Sequence, residues 1–351
     1  MRIHTIVFYT YATCLEDALR DLTIYSQNSY AESELLSITL FATPKGKAYD
    51  TQVKEIKHIL YNYYQDRQMP LVTYVGQPSL QGNFAFELHF LKQDASVSFD
   101  QTDLGMRYAT ITCGKAHFYL LEGQAGAEAL HRCGTFLQAK GLSPADILRQ
   151  WNYIGQITGY TDGMQHYQVF NDARTDFYAG VHWQHGYPAA TGIGTLLPGY
   201  VISFLIAVPS EELIIQAIDN PNQVAAHVYS RAVLEGSEQL STPKFERAKL
   251  LRFNNEAICF VSGTAAINGQ ETVEVDVLQQ AAQTVEHLHT LLKQCDCKLA
   301  YTSLRVYLKY AHDVEPVRDY LQTVFPDLSI AYLWGDVCRD ALLIEIEGIA
   351  Q

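Results

Sequence analysis

The sequence predicts an α+β fold built of mixed sheets with helices packed on one face. Three observations predict it. The last hundred residues run strand-strand-helix-strand-helix-strand, the order of a sheet covered on one side by two helices. Earlier segments mix strand-like and helix-like apolar spacing without long repeats of either kind. The composition, 48% hydrophobic and 18% charged, is that of a chain able to bury cores rather than stay disordered. At roughly 150 residues per domain, 351 residues give two to three globular units.

Taken in order, residues 1–11 and 34–42 read as strands. Residues 51–65 place Val53, Ile56, Ile59, Leu60 and Tyr63 on one helical stripe. Ser143-Pro144 is a helix-start signal, a capping residue followed by proline at the first helical position, and predicts a helix over 143–151. Residues 248–253 and 257–262 are short apolar runs joined by Asn254-Asn255-Glu256, a hairpin signal. Asp276 caps a helix whose expected inner face is Leu278, Ala281, Ala282, Val285, Leu288 and Leu292. Residues 299–310 alternate as a strand. Asp313 caps a second helix with Val317, Tyr320, Leu321 and Val324 inward, and 341–349 is the closing strand. The expected domains are 1–145, an N-terminal α+β domain, and 146–351, with a clear unit over 248–351.

The formal net charge of −13, from 38 acids against 25 Lys plus Arg, argues against a broad grip on nucleic acid, which needs a basic surface. The longest apolar run, 200–208, is far short of the roughly 20 residues of a spanning helix, so no membrane partner is expected. The N-terminus lacks the apolar core of a signal peptide. Seven scattered cysteines, an odd number, point to a reducing cytoplasm rather than a disulfide framework.

Several residues could carry chemistry. Glu345 and Glu347 lie two apart on the closing strand, hence on one face and about 7 Å from each other by strand rise. Among Leu342, Leu343, Ile344 and Ile346, burial and like charge would raise a carboxyl pKa and make a proton donor at neutral pH. The plainer alternative is the edge of a half-buried strand. Arg174, Arg247 and Arg339 sit in FNDAR, FERA and DVCR. Gathered at one cleft they would suit a dicarboxylate, and taken singly each would be a surface ion pair. Tyr160, Tyr167, Tyr178, Tyr187 and Trp151 could wall a pocket or simply pack. His182 and His185 lack further ligands for zinc, Cys295-x-Cys297 has the wrong spacing for a redox pair, and Gly192-Ile193-Gly194 is not a dinucleotide fingerprint.

Val261-Ser262-Gly263-Thr264-Ala265-Ala266, the helix with Gln279-Gln280, and Ile344 to Ala350 (IEIEGIA) resemble the YjgF/RidA-like fold over 248–350. WNYI at 151–154, Tyr167 with FNDAR at 170–174, GYPAATGIG at 186–194, Asn220-Pro221-x-Gln223, Pro243-x-Phe245-x-Arg247-Ala248, SGTA at 262–265 and VCR before LLIEIE resemble chorismatase signatures, well over 145–351 and only by position before that. Where that family reads Ser-Ile-x-Gly-His this chain has Ala266-Ile267-Asn268-Gly269-Gln270, and the stretch between Tyr229 and Pro243 also departs.

The resemblance implies a small-molecule substrate, chorismate or a related enol-ether acid. It implies protonation of the enolpyruvyl methylene and release of pyruvate, giving 3-hydroxybenzoate or a dihydroxycyclohexadiene carboxylate, with no metal or organic cofactor. It gives Glu345 the role of acid, with Glu347 as its backup and a possible substrate contact. The Cys338-x6-Glu345 spacing resembles the 3-hydroxybenzoate branch, in which a cysteine lines the pocket. Arg174, Arg247 and Arg339 would bind carboxylates, and Tyr187 and Thr264 would line the pocket. Two other readings stand beside this one: a RidA-like enamine or imine hydrolase, whose substrate-binding arginine would correspond to Ile330 here, and a non-catalytic protein binding a small aromatic acid. YjgF-like units normally trimerise, and a chain long enough for more than one is expected to satisfy that packing as a monomer.

Overall fold

The computed structural model describes residues 1–29, 34–64, 68–91, 95–234, 240–253, 255–273 and 275–351. The first unit comprises β1 (Ile3–Thr10), α1 (Leu15–Ser29), β2 (Glu34–Ala42), α2 (Tyr49–Tyr64), β3 (Leu71–Val75) and β4 (Phe84–Leu91), with sheet order β1-β4-β2-β3.

The second holds β5 (Ser96–Gln101), β6 (Arg107–Cys113), β7 (Ala116–Ala125), α3 (Ala129–Ala139), β8 (Ile147–Gly155), a small ribbon of β9 (Tyr160–Thr161) and β10 (Met164–Gln165), α4 (His166–Phe177), β11 (Ala189–Thr195) and β12 (Tyr200–Ala207). Its sheet order is β11-β8-β12-β7-β6-β5.

The third holds β13 (Ile214–Ile218), β14 (Ala248–Phe253), β15 (Glu256–Thr264), a ribbon of β16 (Ile267–Asn268) and β17 (Glu271–Thr272), α5 (Val277–Gln294), β18 (Tyr301–Leu308), α6 (Val314–Val324), β19 (Ser329–Trp334) and β20 (Ile344–Ala350). Its order is β13-β14-β15-β20-β18-β19.

The three sheets share one wiring. β1-β4-β2-β3, β7-β12-β8-β11 and β15-β20-β18-β19 are the same four-strand pattern. Each ends in a parallel pair (β2/β3, β8/β11, β18/β19) joined by a helical crossover. The parallel edge strand of each unit packs on the next unit: β3 on β7, β11 on β15, β19 on β1, so the ring closes within one chain. The inner sheet faces meet in a shared core containing Phe41, Trp151, Tyr153, Phe260 and Tyr307. Each pair of helices buries a separate core on the outer face of its own sheet.

The α+β class stands, and several elements need correction. The expected boundary at 145/146 falls inside the second sheet, because β8 pairs with β12 and β12 with β7. The Ser143 cap forms: its Oγ accepts from the Ala145 amide, and Asp146 accepts from the Ser143 amide at 2.7 Å. The helix stops after the single 3-10 turn Pro144–Asp146, because Ile147–Gly155, which follows, is a central strand buried along its whole length. Asp276 does cap α5, accepting from the Gln279 amide at 2.9 Å. The inner face of α5 is rotated from expectation: Leu278 and Ala282 are exposed, whereas Gln280, Thr284, His287 and Leu291 are buried. Asp313 begins α6 without a capping hydrogen bond. The edge strand β19 was not foreseen, and Asn254 of the hairpin signal, Gln65 of the helical stripe and 235–239 of the departing loop lie outside the described residues.

Candidate active site

β20 places the two glutamates. Ile344 and Ile346 point into the core under α5 and α6, so Glu345 and Glu347 point the other way, between the second and third sheets. Gln280 of α5 anchors the approach to β20, donating to the Ala341 carbonyl at 2.9 Å and accepting from the Leu343 amide at 2.9 Å. That is why a glutamine occupies the helix's inner face.

Glu345 opens on a cavity of about 800 Å3, counting its open mouth, between α4 and β11 of the second unit and β15 and β20 of the third. Arg174 reaches it from the last turn of α4, Arg247 from the residue before β14, and Cys338 and Arg339 from the loop between β19 and β20. Five of the eight residues singled out in the sequence thus meet at one cavity. Tyr187, Thr264 and Glu347 do not line it. Tyr187 packs in an aromatic cluster with Tyr178, Trp183 and His227, and the Thr264 hydroxyl donates to the Ser262 carbonyl at 2.9 Å. Glu347 is claimed by ion pairs deeper in the core.

The three arginines share one property. None is in an ion pair among the described residues. Arg174, 2% exposed, donates to Asn171 Oδ1 at 2.7 Å and lies over the Phe170 ring, with its Nε buried and unpartnered. Arg247, 4% exposed, donates to the Val224 carbonyl and the Tyr229 hydroxyl, both at 2.6 Å, and its Nε is likewise unpartnered. Arg339 donates to the Gln270 carbonyl at 2.8 Å. Buried charge without a counter-ion is costly, so Arg174 and Arg247, with the half-buried Arg339 beside them, make a site suited to a multiply charged anion.

The carboxyl in this cationic setting is held neutral. Burial, and then the like charge of Glu347, push Glu345 up to about 8, against the pull of Arg149 and Arg247. At neutral pH it therefore carries its proton. It rests over Gly263, where any Cβ would run into Glu345 Oε1. Cys338 is also kept neutral: burial, then Glu345, push its thiol up to about 12, with Arg339 opposing. It is a polarizable wall rather than a nucleophile.

Sequence reasoning missed Arg149 of β8, Asn171, Tyr229 and Gln168 near or at the site. Asn171, whose Nδ2 is unpartnered, and Tyr229 line the cavity, as does Tyr167. Asn171 was within reach, one turn before Arg174 on α4. Arg149 gave no signal, because it lies in a strand whose other residues are apolar or amide. Ile330 is 8% exposed in the core beneath α6, away from the cavity. Among the described residues no group of three or more His, Cys, Asp or Glu could hold a metal ion, and no helix is long and apolar enough to cross a membrane.

Residues 93–206 match the family described as Chorismatase FkbO/Hyg5-like, N-terminal. Over 225 residues, 59% of this chain, it is 31% identical to a 3-hydroxybenzoate synthase of Streptomyces hygroscopicus; that match spans 64% of the relative's length, less than two thirds. Over 246 residues it is 28% identical to a chorismatase of Streptomyces rapamycinicus, covering 64% of this chain and 70% of that one. A crystal structure of a chorismatase superposes with a TM-score of 0.72 at 22% identity, over 100% of this chain and 98% of the other, and so shares the fold. The resemblance to chorismatases drawn from the sequence holds in these comparisons.

Proposed function

We propose that this protein acts on chorismate, protonating its enolpyruvyl methylene through Glu345 and releasing pyruvate, with 3-hydroxybenzoate as the other product. The observation that carries the reading is the pairing of three guanidinium groups lacking counter-ions with one neutral carboxyl around a single cavity. Chorismate is a dianion. Its ring carboxylate and its enolpyruvyl carboxylate both find charge-assisted donors there, and a neutral Glu345 does not repel them. Names of the curated relatives, a 3-hydroxybenzoate synthase and a chorismatase, support the same substrate.

Glu345 gives its proton to the terminal methylene, which becomes the methyl group of pyruvate. The ether carbon gains oxocarbenium character, and the carboxylate left on Glu345 stabilises it. The oxygen of the neighbouring ring hydroxyl attacks the ring carbon that bears the ether, and the ether oxygen leaves as the keto oxygen of pyruvate. The arene oxide so formed opens at the carbon that had carried the hydroxyl, which leaves the oxygen on the 3-position. The hydroxyl's proton restores the acid, and the proton shed by the ring as it becomes aromatic passes to the phenol oxygen. Chorismic acid divides into 3-hydroxybenzoic acid and pyruvic acid with no atom left over, so no oxidant, reductant or net water enters. Cys338 lines the same cavity as Glu345, and the Cys338-x6-Glu345 spacing that resembles the 3-hydroxybenzoate branch favours this internal elimination over hydrolysis to a dihydroxycyclohexadiene carboxylate. The ring of three units closed within one chain supports a monomer, and the free cysteines fit a cytoplasmic enzyme.

The test is incubation with chorismate, with pyruvate followed by a lactate dehydrogenase couple and the aromatic product by chromatography. Wild type releases both products and Glu345→Gln releases neither. Chorismate left intact under conditions where a known chorismatase consumes it would refute the reading.

A further inference from the structure

Glu347 lies on the same face of β20 as Glu345 but in other company. It accepts from Arg149 of β8, from Arg305 of β18 at 2.9 Å, from Tyr307 at 2.9 Å and from the Thr191 hydroxyl of β11. Arg305 continues to Glu87 of β4, which meets His89 at 3.1 Å. The chain of ion pairs therefore joins all three sheets at the centre of the molecule, and its charged members are all nearly buried. Thr191 links it to the cavity. Its Oγ1 accepts from Arg149 at 2.5 Å and from the Gly263 amide at 3.0 Å, and Gly263 is the floor on which the Glu345 carboxyl rests.

We propose that Glu347 and Arg149 are positioning residues for the acid: through Thr191 they fix Gly263 beneath Glu345, and their opposed charges set how tightly Glu345 holds its proton. The role rests on the reading of Glu345 as the acid, and it goes beyond a contact between Glu347 and substrate. Other groups facing Glu345 do not reproduce this pairing. Arg305 and Tyr307 of β18 are bound to Glu347 itself. Tyr167 and Arg174 come from α4, and Tyr229, Arg247, Cys338 and Arg339 from the cavity loops. Those loop and helix groups line the space where substrate would sit, whereas Glu347 and Arg149 are buried and do not line it. A like charge about 7 Å away on the strand holds the proton on, and a guanidinium close by loosens it.

The two residues therefore predict shifts of opposite sign. The general acid is active while protonated, so kcat/KM falls on the alkaline side as Glu345 ionises. Glu347→Gln should move that limb down by about one pH unit, and Arg149→Met should move it up by about as much. Arg149→Lys should return it towards wild type. The same shifts should be seen without substrate, by infrared titration of the protonated carboxyl band that Glu345→Gln removes. That measurement needs no turnover and serves if a variant folds only at low temperature. Limbs and bands that stay put, or move the same way in Glu347→Gln and Arg149→Met, overturn the proposal. If the band shifts as expected but chorismate is not consumed, the proposal survives and the assignment of substrate fails.

Discussion

A neutral buried acid has a thermodynamic signature that can be measured without substrate. Glu345 is 5% exposed and pushed from an ordinary 4.5 up to about 8 by burial and by Glu347. Between those values the unfolded chain has lost this proton and the folded chain keeps it. Folding stability therefore falls as pH rises through that window, and the full penalty is present above pH 8. At about 1.36 kcal/mol per unit, and with partial titration at both ends, the penalty grows by about 3 kcal/mol between pH 5 and pH 8. Glu345→Gln carries no such penalty. Urea denaturation of both proteins at the two pH values gives the difference directly, because the other titrating groups are common to both. The variant should gain about 3 kcal/mol on wild type between pH 5 and pH 8, while losing pyruvate release. A wild-type-minus-variant difference that is flat with pH, or that grows in favour of wild type, would refute a carboxyl held neutral by the fold.

Three further outcomes follow from the cavity. Arg247→Met should weaken binding of 3-hydroxybenzoate, read by calorimetry, by about tenfold or more, the value of a charge-assisted hydrogen bond. Gly263→Ala places a methyl group against the Glu345 carboxyl; displacement of the acid by about 1 Å should cost on the order of a hundredfold in kcat while the fold, followed by circular dichroism, is retained. Cys338, its thiol pushed up to about 12, should resist alkylation at pH 8, and the exposed Cys14 should react first, read by mass spectrometry of peptides.

How much was legible in the sequence depended on amphipathicity. The third unit could be read because its strands end in turn signals and α5 opens on a capping aspartate. In the first two units β4 and β8 are buried on both faces, so their sequences, FAFELHFL and ILRQWNYIG, carry no clean alternation to announce a strand or a side. The sequence is long enough for more than one YjgF-like unit but marks one only over 248–351, because the three units share wiring and not residues. Arg174, Arg247 and Arg339 were identifiable as guanidinium groups in marked settings, but their convergence depends on α4 and on loops far apart in the chain. Glu345 and Glu347 are the sharpest case. Spacing puts both on one face and treats them alike. The structure gives one of them two arginines, a tyrosine and a threonine as direct partners, and the other a glycine floor and an open cavity.

The three junctions of the ring differ in what lies over a shared contact. At each, a hydroxyl on a parallel edge strand accepts a backbone amide from the next unit: Thr73 from Gly123, Thr191 from Gly263, and Ser329 from Val7. The stitch is the same, and what lies over it differs. The space above Gly123 is filled by the methyl group of Thr73, and at the third junction the receiving residue carries its own valine side chain. Above Gly263 the space holds the Glu345 carboxyl, and α4 stands far enough back to leave a cavity into which Arg174 projects. A glycine is required there because any Cβ would run into the Glu345 carboxyl, and Thr191 ties that glycine to Glu347 of the central ion pairs. Repetition thus supplied three equivalent junctions, and the candidate site lies at the one left unfilled and given an acid.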